Sequence, residues 1–299
     1  MAAIPKQDIV FKKLFGSKGS EKILQDFLEY ILEMKINSVN LDLSTELLPD
    51  FYEGKNSRVD VRAELSDGSQ VNIEMQTDKR GFSEKRCLQY WSKIYSNSME
   101  KSQAYSTLKR TICIWIVDDT IYDEIKEFET TWKMKEDKLG ITGHFNEIEI
   151  HIIELKKFRE TDIIEPKKKD FWLWFIDYTD MKKVEMACMD NERIREARAQ
   201  LDKITSDKAL MNEIIRQEMY EMDQIMRQQN IEKMATEKGM QEGLEKGMEK
   251  GMQKGMQKGL AEGEKNKQLE IAKKMKEMQI DVDTIVKATG LEKEEIEKL

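Results

Sequence analysis

The chain of 299 residues has few of the residues that build disulfide scaffolds or zinc sites: three cysteines, two histidines and three prolines. Cys87, Cys113 and Cys188 are odd in number and far apart, a pattern typical of buried or free thiols in a reducing compartment. His144 and His151 are too few for a Cys/His zinc site. His151 lies in the alternating segment EIEIHIIEL, which predicts a residue of a β-strand.

Long apolar stretches are also missing. No uninterrupted apolar run is longer than ICIWIV at residues 112–117, which is far too short to span a bilayer. The first residues, MAAIPKQDIVFKKLFG, contain no apolar core of the kind that a signal peptide needs. Charged residues make up 36% of the chain and hydrophobic residues 39%, a balance typical of soluble globular proteins. We therefore expect a cytoplasmic protein with no membrane partner.

The formal net charge of −8 argues against a protein that binds nucleic acid through its overall charge. One segment departs from that balance, because residues 78–110 carry eight Lys or Arg residues against three acidic ones. Lys79, Arg86 and Lys93 belong to this segment, which could hold DNA phosphates. A solvated helix face would show the same pattern, so both interpretations stay open.

Hydrophobic periodicity predicts a mixed α/β core over residues 1–185. Two helical patterns, IVFKKLFG and SEKILQDFLEYILEM, precede the two alternating strands of RVDVRAELSDGSQVNIEMQ. The wholly apolar TICIWIV is typical of a central strand that is buried on both faces. FETTWKM and EIEIHIIEL add two strands, and KKDFWLWFID predicts a helix or a short buried segment. We expect a sheet of about four to six strands with helices on its faces.

The two strands of residues 58–76 predict a hairpin whose register depends on the loop length. A two-residue loop would oppose Asp60 to Met75 and mix charged with apolar side chains on each face. A three-residue loop that ends on Gly68 keeps one face apolar and places Asp60 opposite Glu74. This second register pairs Leu65 with Ser69, Ala63 with Val71, Val61 with Ile73 and Val59 with Met75.

The facing carboxylates of Asp60 and Glu74 need a compensating partner. Like charges directly opposite each other destabilise a sheet by about 0.2–1 kcal/mol, so the pair predicts a partner such as a divalent cation. Gln76 is next along the same face. Isolated acidic pairs on strands are also common on solvated surfaces, so the spacing alone leaves both interpretations open. Asp8 lies before a helix predicted to begin at Ile9, where it would serve as the N-cap.

The C-terminal part has a different character. Residues 186–238 are charged and rich in Met at helical spacing, which predicts a long helix. In residues 239–265 a glycine recurs at every fourth position, and each interior glycine costs a helix about 0.8–1 kcal/mol relative to alanine. This repeat is either a partly disordered linker or a zipper that joins copies of the chain into a homo-oligomer. Residues 266–299 predict a small helix-turn-helix-like end of three helical segments.

These motifs together resemble a known family. The opening DIVFKKLFG, the hairpin RVDVRAELSDGSQVNIEMQ, the helix RCLQYWSKIYSNSM, the strand ending IHIIELKKF and the glycine-periodic tail are similar to the Rpn family. That family comprises recombination-promoting nucleases, also described as transposases, of the PD-(D/E)xK superfamily. The resemblance implies an α/β, restriction-endonuclease-like core, in which a mixed central sheet is flanked by helices, followed by an extended helical C-terminal arm.

The resemblance also implies roles for individual residues. Asp60 would be the metal-binding aspartate, Glu74 the acidic residue of the ExK element, and Met75 the variable residue whose carbonyl adds a ligand. Gln76 stands where the superfamily has lysine, as in the ExQ form, and would complete the catalytic set. Asp8 matches an early acidic position of the family, which a helix N-cap explains equally well.

The implied function is a Mg²⁺-dependent endonuclease, with Mn²⁺ as a substitute, that cuts double-stranded DNA and promotes recombination. Gln76 can orient a water molecule but cannot supply the positive charge of a lysine. Lys79, Arg86 or Lys93 would have to compensate. The alternative is a catalytically weak, nuclease-like module that binds DNA or oligomerises.

Overall fold

The computed structural model describes residues 3–43, 60–77, 79–99 and 102–299. The chain divides into two compact units, Met1–Glu218 and Met219–Leu299. The strands are β1 (Val39–Leu41), β2 (Val61–Leu65), β3 (Gln70–Gln76), β4 (Thr111–Val117), β5 (Glu129–Lys133) and β6 (Ile148–Glu154). The helices are α1 (Asp8–Phe15), α2 (Glu21–Ile31), α3 (Glu84–Asn97), α4 (Leu155–Glu160), α5 (Lys168–Asp177), α6 (Met181–Asp190), α7 (Glu192–Ser206), α8 (Lys208–Glu277), α9 (Val282–Thr289) and α10 (Lys293–Glu297).

The six strands form one mixed sheet in the order β1-β2-β3-β4-β6-β5, which confirms the predicted α/β class. β3, β4 and β6 run parallel, whereas β1 with β2, β2 with β3 and β5 with β6 pair antiparallel. All seven residues of β4 are buried, as the apolar run TICIWIV indicates. The parallel strands therefore form the interior of the sheet.

Helices cover both faces of the sheet. On one face, α1, α2 and α5 form a large apolar core with alternate residues of β3 and β4, such as Ile114. On the other face, α3 places Cys87 and Tyr90 in a smaller cluster with Trp115 of β4. Because side chains alternate along a strand, the polar residues of β3 lie on the face that α3 covers.

The β2–β3 hairpin has the register of the three-residue loop. Val61 pairs with Ile73 and Ala63 with Val71. Gly68 ends the turn with a φ of +86°, a conformation that favours glycine. The N–H of Leu65 donates to the carbonyl of Ser69 (2.9 Å) and so closes the loop. The expected pairing of Val59 with Met75 lies outside the described residues.

The apolar core of the first unit continues beyond the expected domain boundary at residue 185. Buried residues of α6 and α7 and Ile214 of α8 belong to the same core as the sheet. Residues 186–238 also differ from the single helix that the sequence predicts. The side chain of Asn191 caps α7 by accepting from the N–H of Arg193 (2.7 Å), and Asp207 caps α8 by accepting from the N–H of Ala209 (2.9 Å). Each cap marks the start of a new helix.

The second unit contains most of α8 together with α9 and α10. The glycine repeat lies within α8, and the Met and Leu residues that follow its first six glycines are exposed: Met240, Leu244, Met248, Met252, Met256 and Leu260. Near the C-terminus, Ala272, Ile285, Leu291 and Ile296 form a small apolar cluster. None of the helices in the described part of the chain is long and apolar enough to cross a membrane.

Candidate metal and catalytic site

The structure brings Asp60, Glu74 and Met75 together at one end of the hairpin. Asp60 directly precedes β2, and its N–H donates to Glu74 Oε1 (3.4 Å). The N–H of Met75 donates to Asp60 Oδ2 (2.8 Å). Asp60 is 6% exposed and Glu74 is 1% exposed, so both carboxyl groups are buried. The hairpin thus holds two acidic side chains within reach of one small ligand.

Glu74 is only partly satisfied by hydrogen bonds. Its Oε1 atom accepts from the side-chain amide of Asn72 (3.2 Å) as well as from the backbone of Asp60. Its Oε2 atom is buried and has no hydrogen-bond partner among the residues that the structure describes. A buried carboxylate oxygen without a partner is costly, which points to a ligand that the protein itself does not supply.

The surroundings disfavour the charged forms of both carboxyl groups. Burial raises the pKa of Asp60 to about 7, and the charge of Asp8 adds to this rise while Lys12 opposes it. Burial and the charge of Asp60 raise the pKa of Glu74 well above its usual range, despite the opposing effects of Asn72 and Arg86. The chain alone therefore compensates the two buried carboxylates incompletely.

Lys12 also lies at the acidic pair, although the sequence pattern did not predict it there. It extends from α1, and its Nζ atom lies 3.1 Å from Asp60 Oδ1 and 2.9 Å from Asp8 Oδ2. Burial alone would lower the pKa of Lys12, but the charges of Asp60 and Asp8 outweigh burial and raise it. The acidic and basic residues at i and i+4 in DIVFK were the available signal, although they indicate only a local pair.

The interpretation of Asp8 as the N-cap of α1 is wrong. Gln7 occupies the N-cap position, and Asp8 is the first residue of the helix. From there its carboxylate reaches Lys12 one turn later, and its charge acts on Asp60. Asp8 therefore belongs to the surroundings of the acidic pair.

Arg86 lies on the α3 side of the pair, in a half-buried position. Its Nε and Nη2 atoms donate to the hydroxyl of Tyr90 (3.2 and 3.0 Å), and Nη1 donates to the carbonyl of Gly81. Its guanidinium carbon is 5.5 Å from the ring centroid of Trp115. The positive charge of Arg86 opposes the rise in the pKa of Glu74. Arg86 is thus a rigidly held cation beside the acidic pair.

Gln76 ends β3 on the same face as Glu74, and its side chain packs against Gly81. A Cβ atom at position 81 would lie 1.9 Å from Gln76 Oε1, so any side chain there would displace the Gln76 amide. Lys79 lies exposed in the 3₁₀ turn Lys79–Gly81, and Lys93 is half-buried on α3, two turns beyond Arg86. The roles of these three side chains remain predictions.

The donor set of the acidic pair fits a hard divalent cation. It offers two carboxylates, one of them with an unpartnered oxygen. The N–H of Met75 points at Asp60, and the carbonyl of a strand residue points to the same side as its N–H. The described residues contain no cluster of three or more His, Cys, Asp and Glu side chains suited to a metal. Mg²⁺ does not require one, because it keeps several waters and binds through one or two carboxylates.

Comparison with known proteins gives one finding. Residues 5–230 match the family model described as "PD-(D/E)XK nuclease family transposase". This range is more than half of the chain and contains Asp8, Lys12, Asp60, Glu74 and Gln76. Searches of curated proteins and of solved structures returned no match.

Proposed function

Because the chain belongs to the PD-(D/E)XK nuclease family transposases, we propose that it is a metal-dependent endonuclease that hydrolyses phosphodiester bonds in double-stranded DNA and promotes recombination. The observation that carries the proposal is the buried pair of Asp60 and Glu74, whose charges the surrounding residues compensate incompletely. The three free thiols are compatible with action in the cytoplasm.

Asp60, Glu74 and the carbonyl of Met75 would hold the ion, which we propose to be Mg²⁺ with Mn²⁺ as a substitute. When bound, such an ion supplies an activated water and stabilises charge on the phosphate oxygens. The hydrogen bonds that Met75 donates to Asp60 and Asn72 donates to Glu74 would help to orient both carboxylates for this role.

The remaining residues would orient water and bind DNA. Gln76 lies on the face of Glu74 and can hydrogen-bond a water molecule through its amide. Lys79 and Lys93, on the turn after β3 and on α3, are proposed to contact DNA phosphates. Arg86 directs its donors to Tyr90 and Gly81, so we propose that it acts mainly through its charge beside Glu74.

A catalytically weak module that binds DNA is the second candidate. Gln76 favours it, because a neutral amide stands where the superfamily has a cationic lysine. Both candidates share the same surface for DNA, so a binding assay alone does not separate them. Cleavage does separate them.

The test is the nicking of supercoiled plasmid by purified protein in Mg²⁺, in Mn²⁺ and in EDTA. We expect cleavage with either metal and none in EDTA. Asp60→Asn should abolish cleavage and keep DNA binding. Glu64→Gln is the matched control, since it makes the same kind of change at an exposed position of the same hairpin. Cleavage in EDTA, or an Asp60→Asn variant as active as the parent, would overturn the proposal. Binding without cleavage in either metal would favour the second candidate.

We further propose that the chain forms a homo-oligomer through the glycine repeat of α8. The repeat exposes an apolar residue every four positions, and small residues beside it allow a partner helix to approach closely. Deleting residues 239–263 should lower the number of protomers per particle in light scattering and leave the intrinsic cleavage rate largely intact. An unchanged number of protomers per particle would contradict this part of the proposal.

A further inference from the structure

The proposed nuclease lacks a cation two positions after the acidic strand residue Glu74, since Gln76 is neutral. Negative charge develops on the phosphate in the transition state of phosphodiester hydrolysis. A fixed positive charge in a site that is partly shielded from water stabilises this developing charge strongly. The side chain of Gln76 lies against Gly81, so that position carries an amide packed on the backbone. A full positive charge must then come from another element of the fold.

Lys12 is in a suitable position to supply that charge. Its Nζ atom is 3.1 Å from Asp60 Oδ1, so the ammonium group lies directly at the acidic pair. Its side chain is 33% exposed, so Lys12 is not fully enclosed by the protein. Arg86, by contrast, directs its nitrogens to Tyr90 and to the carbonyl of Gly81.

The fold holds Lys12 in place from two directions. The adjacent Phe11 and the other apolar residues of α1 are buried in the main core, which fixes the helix on the sheet. At the end of α1, a Cβ atom at Gly16 would lie 3.3 Å from Val61 Cγ2, so glycine there lets the helix lie close to the start of β2. Asp8 holds the ammonium from the other side at 2.9 Å.

We propose that Lys12 contacts the scissile phosphate and supplies the positive charge that Gln76 lacks. Asp8 acts as a positioning residue, because it touches Lys12 and orients it. This inference rests on the proposed nuclease function and assigns a further residue to it. The competing view is that Lys12 only neutralises Asp60 in the folded protein.

The experiment compares four variants of the full-length chain: Lys12→Met, Lys12→Arg, Lys13→Met and the double variant Lys12→Met/Gln76→Lys. Lys13 is the matched control, since it is the exposed neighbour on the same helix. Three quantities are measured: the nicking rate at saturating plasmid in Mg²⁺ and Mn²⁺, the DNA affinity in EDTA, and the thermal midpoint in EDTA.

Lys12→Met should lower the nicking rate about 10²–10³-fold, the usual effect of losing one preorganised charge or donor. Its DNA affinity in EDTA should change less than threefold, and Lys13→Met should match the parent in both measurements. Lys12→Arg should keep part of the activity. The decisive result is the double variant, in which a lysine at position 76 should restore the nicking rate at least tenfold.

The outcomes distinguish a failure of the inference about Lys12 from a failure of the proposed nuclease function. If the parent cleaves DNA and Lys12→Met cleaves equally well, the inference is wrong and the nuclease proposal stands. If Lys12→Met is inactive and the lysine at position 76 restores nothing, Lys12 has the structural role alone. If the parent does not cleave in either metal, the proposed function fails and this inference fails with it. Should Lys12→Met not fold, Lys12→Gln replaces it, because its amide can still donate to Asp60 and the same loss and rescue are expected.

Discussion

Among the buried acidic side chains at the sheet are the pair of Asp60 and Glu74 and, on β6, Glu149. The pKa values of these two groups are shifted in opposite directions: raised for the pair and lowered for Glu149. Glu149 on β6 accepts from Arg110 Nη2 (2.5 Å), pairs with His151 Nε2 (2.8 Å) and forms an ion pair with Lys133 (3.1 Å). Burial alone would raise the pKa of Glu149, but these three partners lower it to about 2. Asp60 has the same exposed fraction of 6%, but burial and the charge of Asp8 raise its pKa to about 7 against the opposing charge of Lys12.

The contrast lies in how many polar partners the chain supplies to each buried carboxylate. Around Glu149 the chain supplies three polar partners from three positions, so the charge is satisfied internally. Around Asp60 and Glu74 it leaves one buried oxygen of Glu74 without a partner among the described residues. A site that is left incomplete in this way is a candidate for ligand binding, because an external cation would compensate the buried charge.

The largest expected difference between the two groups is in cleavage. Glu74→Gln should lower the plasmid nicking rate about 10²–10³-fold, since it removes one carboxylate that would hold the ion. Glu149→Gln should leave the nicking rate of the folded protein within a factor of about three, because the polar partners of Glu149 in the described part of the chain are not partners of Asp60 or Glu74. Equal losses in the two variants, measured well below their melting temperatures, would erase the distinction between the groups.

Stability should show the reverse order. Glu149→Gln should lower the free energy of unfolding by roughly 1–3 kcal/mol at neutral pH, the usual loss for hydrogen bonds to a charged group. Because the folded pKa of Glu149 lies below its unfolded value, its contribution is present above about pH 4.5 and is lost as the pH falls towards 2. Urea melts of the parent and the variant between pH 2 and 7 should therefore converge at the acid end. A difference that stays constant with pH would contradict this assignment.

A smaller effect on cleavage is expected at Gly81, which contacts two residues beside the acidic pair, Gln76 and Arg86. Gly81→Ala places a methyl group against the Gln76 amide and should displace it, which we expect to lower the nicking rate by about tenfold or less. In a Gln76→Ala background the same change should have almost no further effect, because the amide is already gone. Additive losses in the double variant would show that Gly81 acts independently of Gln76.

Much of the fold and part of the site were predictable from the sequence. Alternation in residues 58–76 and the glycine of the turn were sufficient for the hairpin register, because a slip by one residue would move every apolar side chain to the wrong face. The same register predicted the proximity of Asp60 and Glu74, which the structure confirms.

Contacts between elements distant in the chain were not predictable in this way. Lys12 reaches Asp60 only because α1 packs on the start of β2, and no local pattern encodes that contact. The core also extends beyond its expected end at residue 185. Helical spacing continues through residues 186–238, and the caps at Asn191 and Asp207 are not evident from it. Local periodicity therefore gave the strands of the site, and tertiary packing added the residues around them.

The most direct test of the central claim is the effect of metal on the melting temperatures of the parent, Asp60→Asn and Glu149→Gln. In EDTA, Asp60→Asn should be neutral or more stable than the parent by up to about 1 kcal/mol, because the cross-strand repulsion is relieved. Saturating Mg²⁺ or Mn²⁺, at about 100 times the dissociation constant, should then stabilise the parent and Glu149→Gln by about 2.7 kcal/mol. Asp60→Asn should gain almost nothing. An equal rise in all three proteins, or none in the parent with either metal, would contradict the claim that Asp60 and Glu74 form a cation site.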